Sequence, residues 1–312
     1  MKLPAFTLVQ LRYFAAAAEE GSMTSAARRL VVSQSAVSTA VAQLERELGV
    51  QLLIRHHARG LTLTPAGRAF HAELRAFLAH SQELAEAATS AGTDLAGSLH
   101  VGCFETIAPF WLPEIVTTCA QRHPRVELSI REGEHAALKR GLREGDLEAA
   151  VMYAYDLEPD LEATVVGSAT PYVMVAADHP FAERGSVALA ELADDPLVML
   201  DLPHTSNYFH SLFEIAQVNP RVRHRSRGYE TVRAMVAAGH GYAVLNQRPA
   251  HALTYGGAVV VTLPIEERLP ALDIVTVRVG GTRPTRKAAA FVRLCAAVGE
   301  RLGVGGSAEP TS

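Results

Sequence analysis

Apolar side chains recur at helical spacing from the start of the chain. Leu8, Leu11, Ala15 and Ala18 share one face. Thr7 and Gln10 have the spacing of a capping box, and Gly21 supplies the stop, so a first helix is predicted between them. Ser22 can cap a short second helix through Ala26, Ala27 and Leu30. Ser33 can cap a third that runs to Leu48 and ends at Gly49. From Leu53 to Thr64 the period changes from helical to alternating, on either side of Arg59-Gly60, which predicts a small hairpin. Thr64-Pro65 then opens a helix that nothing but Gly67 opposes until about Ala91. Its Phe70, Leu74, Phe77, Leu84 and Ala88 lie close to a heptad seam, which a lone helix would leave wet, so a partner chain is expected to cover it.

Beyond Gly97 short apolar runs alternate with helical patterns. The runs are Leu99 to Phe104, Val126 to Ile130, Ala149 to Tyr153, Val173 to Ala177, Leu197 to Leu200, Tyr242 to Leu245 and Leu272 to Val277. They predict an α/β fold with mostly parallel strands, in two lobes joined by crossovers near Ala163 and Glu267.

Charge separates the two halves. Residues 1–70 carry eight basic and four acidic side chains, or +4, whereas the other 242 residues carry 21 and 29, or −8. The overall −4 therefore does not exclude a nucleic-acid partner for the first segment. No apolar run approaches a membrane span, and Arg12 falls where a signal peptide needs its apolar centre, so a cytoplasmic protein is expected. Cys103, Cys119 and Cys295 lack metal-ligand spacing, and the 13 histidines form no carboxylate-supported cluster, so neither a metal nor another cofactor is called for.

In the third helix Val37, Val41, Leu44 and Leu48 fall on one side and must face a core. The other side then carries Ser35, Thr39, Ala42 and Arg46, flanked by Ser38 and Gln43, with Gln34 at the N-terminal end. Such a small, polar face fits a major groove about 12 Å wide, where glutamine pairs with adenine and hydroxyls accept varied partners. Arg28, Arg29, Arg55 and Arg59 are the candidates for phosphate. A merely solvated face would look the same, and the surrounding frame decides between them.

That frame, LRYFAAAAEEGSMTSAARRLVVSQSAVSTAVAQLERELGVQLLIRHHARGLTLTPAGRAF, resembles the N-terminal winged helix-turn-helix of LysR-type transcriptional regulators over about sixty residues without a gap. The resemblance rests on Ser22 through Ala27, Ser33-Gln34, Leu44-Glu45 to Leu48-Gly49, Arg55, and Leu63-Thr64-Pro65-Ala66-Gly67. Where the family often has proline this chain has Ser35, and basic side chains usual near Thr39 or Ala42 are missing. Base reading is thus expected from Gln34, Ser38, Thr39 and Gln43, beside Ser33 and Ser35, with Arg59 at the wing tip near the backbone or minor groove.

The likeness continues more loosely through residues 97–302, where the family carries a two-lobed effector domain similar to a type 2 periplasmic binding protein. It implies a multidomain chain: an all-α winged helix-turn-helix over 1–65, a linker and dimerisation helix over 66–91, and an effector domain over 92–302. The first lobe is expected over about 97–162 and 268–302, the second over about 163–267, and residues 303–312 as a flexible tail. It further implies homodimers through the linker helix, homotetramers through effector domains, and DNA and a small-molecule effector as partners, with RNA polymerase a further candidate.

In such receptors ligands bind at the carboxyl ends of strands, beside helix N-termini. Candidate effector residues are Glu105, Thr106, His135, Tyr153, His204, Thr205, Ser206, Asn207, Tyr229, Glu230 and Thr231. For Thr205, Ser206 and Asn207, and for Thr106 and Thr231, helix capping is an equal alternative. If Glu105 and Glu230 both face the cleft, a cationic or amine-bearing effector is favoured over a dicarboxylate. Peroxide-sensing relatives use a cysteine pair in the second lobe; with no cysteine between Cys119 and Cys295, that disulfide switch is not expected here. No G-x-S-x-G, G-x-x-x-x-G-K or H-E-x-x-H motif is present, so no enzyme is expected. The rival is a transport solute-binding protein, which the missing signal peptide and basic N-terminus oppose.

Overall fold

The structure, a computed structural model, describes residues 5–56, 60–89, 95–203, 205–281 and 283–303. Helices α1 (Leu8–Glu20), α2 (Met23–Leu30) and α3 (Gln34–Leu48) begin at the expected caps. The Thr7 hydroxyl accepts from Gln10 N at 3.2 Å while Gln10 Oε1 accepts from Thr7 N at 2.6 Å, closing both ends of the box. Ser22 and Ser33 accept from Ser25 N and Ala36 N, and the turn between α2 and α3 is made by Val31 in the left-handed region.

The wing is the antiparallel pair β1 (Leu53–His56) and β2 (Gly60–Leu63). It is docked on the end of α1 by Leu61 N donating to Gly21 O at 2.8 Å. Gly60, at φ +81°, permits that approach, because a Cβ there would stand 2.6 Å from Gly21 O. Val37, Val41 and Leu44 join Leu11, Phe14 and Ala26 in the core of this domain. Helix α4 (Pro65–Thr89) opens with Gly67 N donating to Thr64 Oγ1 and packs Phe70 and Leu74 into the same core. Further along, Phe77 and Leu84 remain 53% and 75% exposed. The side chain of Ala88 lies outside the described residues, as do residues 90–94 and 304–312.

The C-terminal half forms two lobes. The first sheet has the order β4-β3-β5-β12-β6, from β3 (Ala96–Phe104), β4 (Arg125–Gly133), β5 (Ala149–Tyr153), β6 (Leu161–Ala169) and β12 (Leu272–Val279). The second lobe holds β7 (Tyr172–Ala176), β8 (Pro196–Leu200), β9 (Arg221–Ser226), β10 (Ala243–Leu245) and β11 (Val260–Pro264). There β8 pairs with β9, β7 lies between β10 and β11, and a bridge from Leu197 to Tyr242 joins the two groups. Helices α5 (Ala108–Arg122), α6 (His135–Arg143) and α9 (Arg286–Arg301) serve the first lobe, and α7 (Thr205–Ile215) and α8 (Tyr229–Ala237) the second.

The strands are not mostly parallel, which corrects the reading from the apolar runs. Parallel pairing holds for β3 with β4 and β5 and for β8 with β9, but β12 runs antiparallel to β5 and β6, and β7 to β10 and β11. The physical reason is the double crossing. In each lobe the antiparallel strand is the one that arrives from the other lobe, so it enters its sheet from the opposite end. The first crossing also comes later than Ala163, since β6 stays paired with β12 as far as Ala169↔Leu272.

Candidate nucleic-acid interface and ligand cleft

Burial of Val37, Val41 and Leu44 turns the opposite side of α3 outward. Gln34, Ser35, Thr39 and Gln43 are exposed there and Ser38 is half-buried. Some of the nominated side chains are already engaged with others of the domain. The Ser33 hydroxyl caps α3 and lies 3.0 Å from Ser35 Oγ, and Gln43 Oε1 accepts from Gln10 Nε2 at 3.2 Å. The amide nitrogen of Gln43 is the end left for a base edge.

The wing is tied to the helix it flanks. Arg55 Nη2 donates to Ser38 Oγ at 3.1 Å, so a cation sits beside the exposed face instead of apart from it. Glu45, on α3, accepts from Leu52 N at 2.8 Å and Leu53 N at 3.0 Å, which sets where β1 begins. Arg28 is exposed at the end of α2. Arg29 is held by Glu19 at 2.7 Å and Glu20 at 3.1 Å, so it presents a neutralised cluster rather than an open cation. Arg59 lies outside the described residues.

At the junction of the lobes, Tyr153 closes β5 with its hydroxyl fully buried. Gln247 Nε2 donates to it at 3.0 Å, it donates to Asn246 Oδ1 at 3.3 Å, and Thr106 stands beside it. Burial pushes the phenol up to about 12 despite those hydrogen bonds. A second group lies next to this one. Tyr172 and Tyr229 both donate to Gln247 O, at 2.8 and 2.5 Å, and Phe110 of the first lobe meets the Tyr229 ring edge-on at 5.7 Å. His135 is buried with its ring 4.7 Å from that of Phe104.

Among the described residues an ion pair spans the lobes, from Arg227 of the second to Glu134 of the first. Close by, the Glu105 carboxyl is raised by burial, a shift opposed by Arg227, and its Oε1 is a buried oxygen with no hydrogen-bond partner. Asn246 Nδ2 is another such orphan. These are the atoms a bound ligand would satisfy.

Glu230 does not share that setting. It is held inside the second lobe by Arg233 at 2.6 Å and by Tyr255 N at 2.6 Å. The condition for a cationic effector, two carboxylates facing one cleft, is therefore not met. Thr231 is exposed; Thr205 is buried, Ser206 half-buried and Asn207 exposed, all in the first turn of α7; His204 lies outside the described residues. Asn246, Gln247, Arg227 and Phe110 escaped the sequence reading, whereas Glu134 lies in the loop Glu132 to His135 that follows the second apolar run. Asn246-Gln247 directly follows the apolar run of β10, the position that singled out the other loops, and could have been found on that ground.

Cys103, Cys119 and Cys295 are buried and unbridged, and burial raises all three thiols. Among the described residues no cluster of metal-ligating side chains is found, and no helix is long and apolar enough to cross a membrane.

Comparison with known proteins accords with this geometry. Residues 8–68 match the model of the bacterial regulatory helix-turn-helix protein, lysR family, and residues 92–300 match that of the LysR substrate binding domain. The DNA-binding transcriptional dual regulator OxyR of Escherichia coli K12 is 33% identical over 240 residues, covering 75% of this chain and 77% of that protein. The crystal structure of HinK, a LysR family transcriptional regulator from Pseudomonas aeruginosa, superposes with a TM-score of 0.64 at 34% identity, over 96% of this chain and 99% of that one. A full-length OxyR variant from Pseudomonas aeruginosa superposes with a TM-score of 0.75 at 28% identity, over 96% and 100%.

Proposed function

The chain belongs to the LysR family of bacterial transcriptional regulators, and on that premise we propose that α3 and the wing read double-stranded DNA under the control of a small molecule held between the lobes. The observation that carries the DNA half is the outward face of Gln34, Ser35, Thr39 and Gln43 with Arg55 bonded to Ser38 at its edge. Glutamine and hydroxyl groups there suit base edges, and Arg55 suits the adjacent phosphate. The test is binding to the duplex DNA upstream of its own gene across a salt series. Gln34→Ala should relax sequence preference, whereas Arg55→Ala should weaken binding to all sequences and lower the salt slope by about one. An unaltered slope in Arg55→Ala would remove that residue from phosphate contact.

For the effector, the orphaned Glu105 Oε1 and Asn246 Nδ2 beside Tyr153 and Tyr229 support a ligand that both donates and accepts hydrogen bonds and offers a flat apolar face. Binding there competes with or completes the Arg227–Glu134 pair, so it shifts lobe closure by its difference in affinity for the two states. DNase footprints identical with and without a bound effector would refute that coupling.

A second copy of the chain is the proposed cover for Phe77 and Leu84, and tetramers would follow from contacts between effector domains. Sedimentation as a monomer at micromolar concentration would overturn the pairing. The same reading makes the protein a non-enzymatic regulator that works in the cytoplasm.

A further inference from the structure

Two glutamines are exposed on α3, and they differ in what their amides can still offer. Gln34 makes no side-chain hydrogen bond among the described residues, so its carbonyl and its NH2 are both open. Gln43 is tethered to Gln10 of α1. An amide with both ends open can pair with adenine, which shows a donor at N6 beside an acceptor at N7. An amide with one end tied cannot make that pair, and which end is tied decides what it reads.

The tied end is fixed by a backbone group. The Thr7 N–H can only donate, and it donates to the Gln10 amide at 2.6 Å, so that end of Gln10 is Oε1 and the other is the NH2. Gln10 is buried, at 8% exposure, and also accepts from the Thr7 hydroxyl at 3.2 Å, so it is held in that sense. Its Nε2 can only donate in turn. The atom it meets at 3.2 Å is therefore Gln43 Oε1, and the Gln43 NH2 is the end turned away from α1. Orientation thus passes from the capping box of α1 through two side chains to the outward side of α3.

We propose that Gln10 is a specificity-determining positioning residue: by holding the Gln43 carbonyl it makes Gln43 read an acceptor-only base edge, guanine before all others. The proposal rests on the reading of α3 as the helix that enters the major groove. Guanine presents N7 and O6 side by side, both acceptors, for the two hydrogens of one NH2. Thymine offers O4 alone and ranks second. Adenine N6 and cytosine N4 carry donors, which meet the Gln43 NH2 donor against donor. The adenine pairing usual for glutamine is open to Gln34 and denied to Gln43.

The experiment selects the full-length protein on duplexes built from the DNA upstream of its own gene, with the bound region randomised one position at a time, and counts the base ratio at each. One position should favour guanine over adenine at least about fivefold, and Gln43→Ala should erase that preference there and at no other position. Gln10→Glu keeps the capping box, in which glutamate serves as well as glutamine, but offers Gln43 only acceptors. It should accept from Gln43 Nε2, turn the carbonyl outward, and move the preference at that position to cytosine or adenine. Its negative charge repels every duplex alike, so overall affinity falls without moving a base ratio. Gln10→Met leaves the Thr7 hydroxyl capping the backbone N–H of residue 10 and lets the Gln43 amide turn, so the ratio should flatten to within about twofold. Base ratios unmoved by both Gln10 variants, or a Gln43→Ala loss equal for all duplexes, would overturn the proposal while leaving α3 as the reading helix. Ratios indifferent to Gln34→Ala and Gln43→Ala alike would overturn the reading of α3 itself, and this proposal with it. If Gln10→Glu fails to fold, Gln10→Met decides alone.

Discussion

Removing the Tyr153 hydroxyl isolates the polar network that joins the lobes. Tyr153→Phe keeps the ring in place 5.5 Å from Phe104 and opens no cavity, so the change is confined to hydrogen bonds. It strips Gln247 Nε2 of its acceptor at 3.0 Å and Asn246 Oδ1 of its donor at 3.3 Å. Each buried group left short costs about 1–3 kcal/mol, and the longer bond belongs at the lower end. The greater apolarity of phenylalanine offsets part of this, so a net loss of about 2 kcal/mol is expected. Trp111 is the one tryptophan and is buried in the first-lobe core, so its fluorescence during urea unfolding reports on this domain. The midpoint should fall by about 1 M at a slope of about 2 kcal/mol/M. Adding Gln247→Leu should cost less than it does alone, because the two side chains share one bond. An unchanged midpoint in Tyr153→Phe, or strict additivity with Gln247→Leu, would refute the pairing described above.

Other outcomes follow from single features. Glu45→Ala removes an acceptor shared by Leu52 N and Leu53 N, so the DNA-binding domain should lose about 1.5–3 kcal/mol in thermal unfolding and its DNA affinity should fall as the wing loses its place. Gly67→Ala would set a Cβ 2.0 Å from Leu52 O, at the start of α4 where both partners are backbone, and should lower soluble yield and melting temperature more than Ala66→Gly does. Tyr153 ionises near 12 when folded and near 10 when unfolded, so the unfolded chain sheds its proton first. Its contribution to stability is then whole below about pH 10 and declines towards pH 12, by on the order of 2–3 kcal/mol; Tyr172, Tyr208, Tyr229 and Tyr242 are raised by burial too, so Tyr153→Phe should lessen the alkaline slope in melts without abolishing it. Cys103, Cys119 and Cys295 should resist a thiol reagent in the native protein and react once urea unfolds it; fast native labelling of any of them would contradict their burial.

Local signals carried much of the architecture into the sequence. The Thr7–Gln10 box, the Ser22 and Ser33 caps, the stops at Gly21 and Gly49 and the Thr64-Pro65 start act within one helical turn, and each element begins or ends where they say. The outward face of α3 was legible for the same reason, since Val37, Val41 and Leu44 declare the core side by their spacing. Strand β9, Arg-Val-Arg-His-Arg-Ser, was not legible: it pairs only with β8, at the margin of its sheet, and needs few apolar residues. Nor was strand direction, because β7 and β12 are turned antiparallel by crossings between lobes that no local window contains. Tertiary structure also decided which charges are open. Arg29 read as a phosphate ligand until folding brought Glu19 and Glu20 against it, and the partner of Arg75 is Asp146, seventy-one residues away, met across Gly145. Periodicity and capping are properties of neighbouring residues, whereas the partner of a charge or an orphaned oxygen is set by distance in space, which only the packed chain defines.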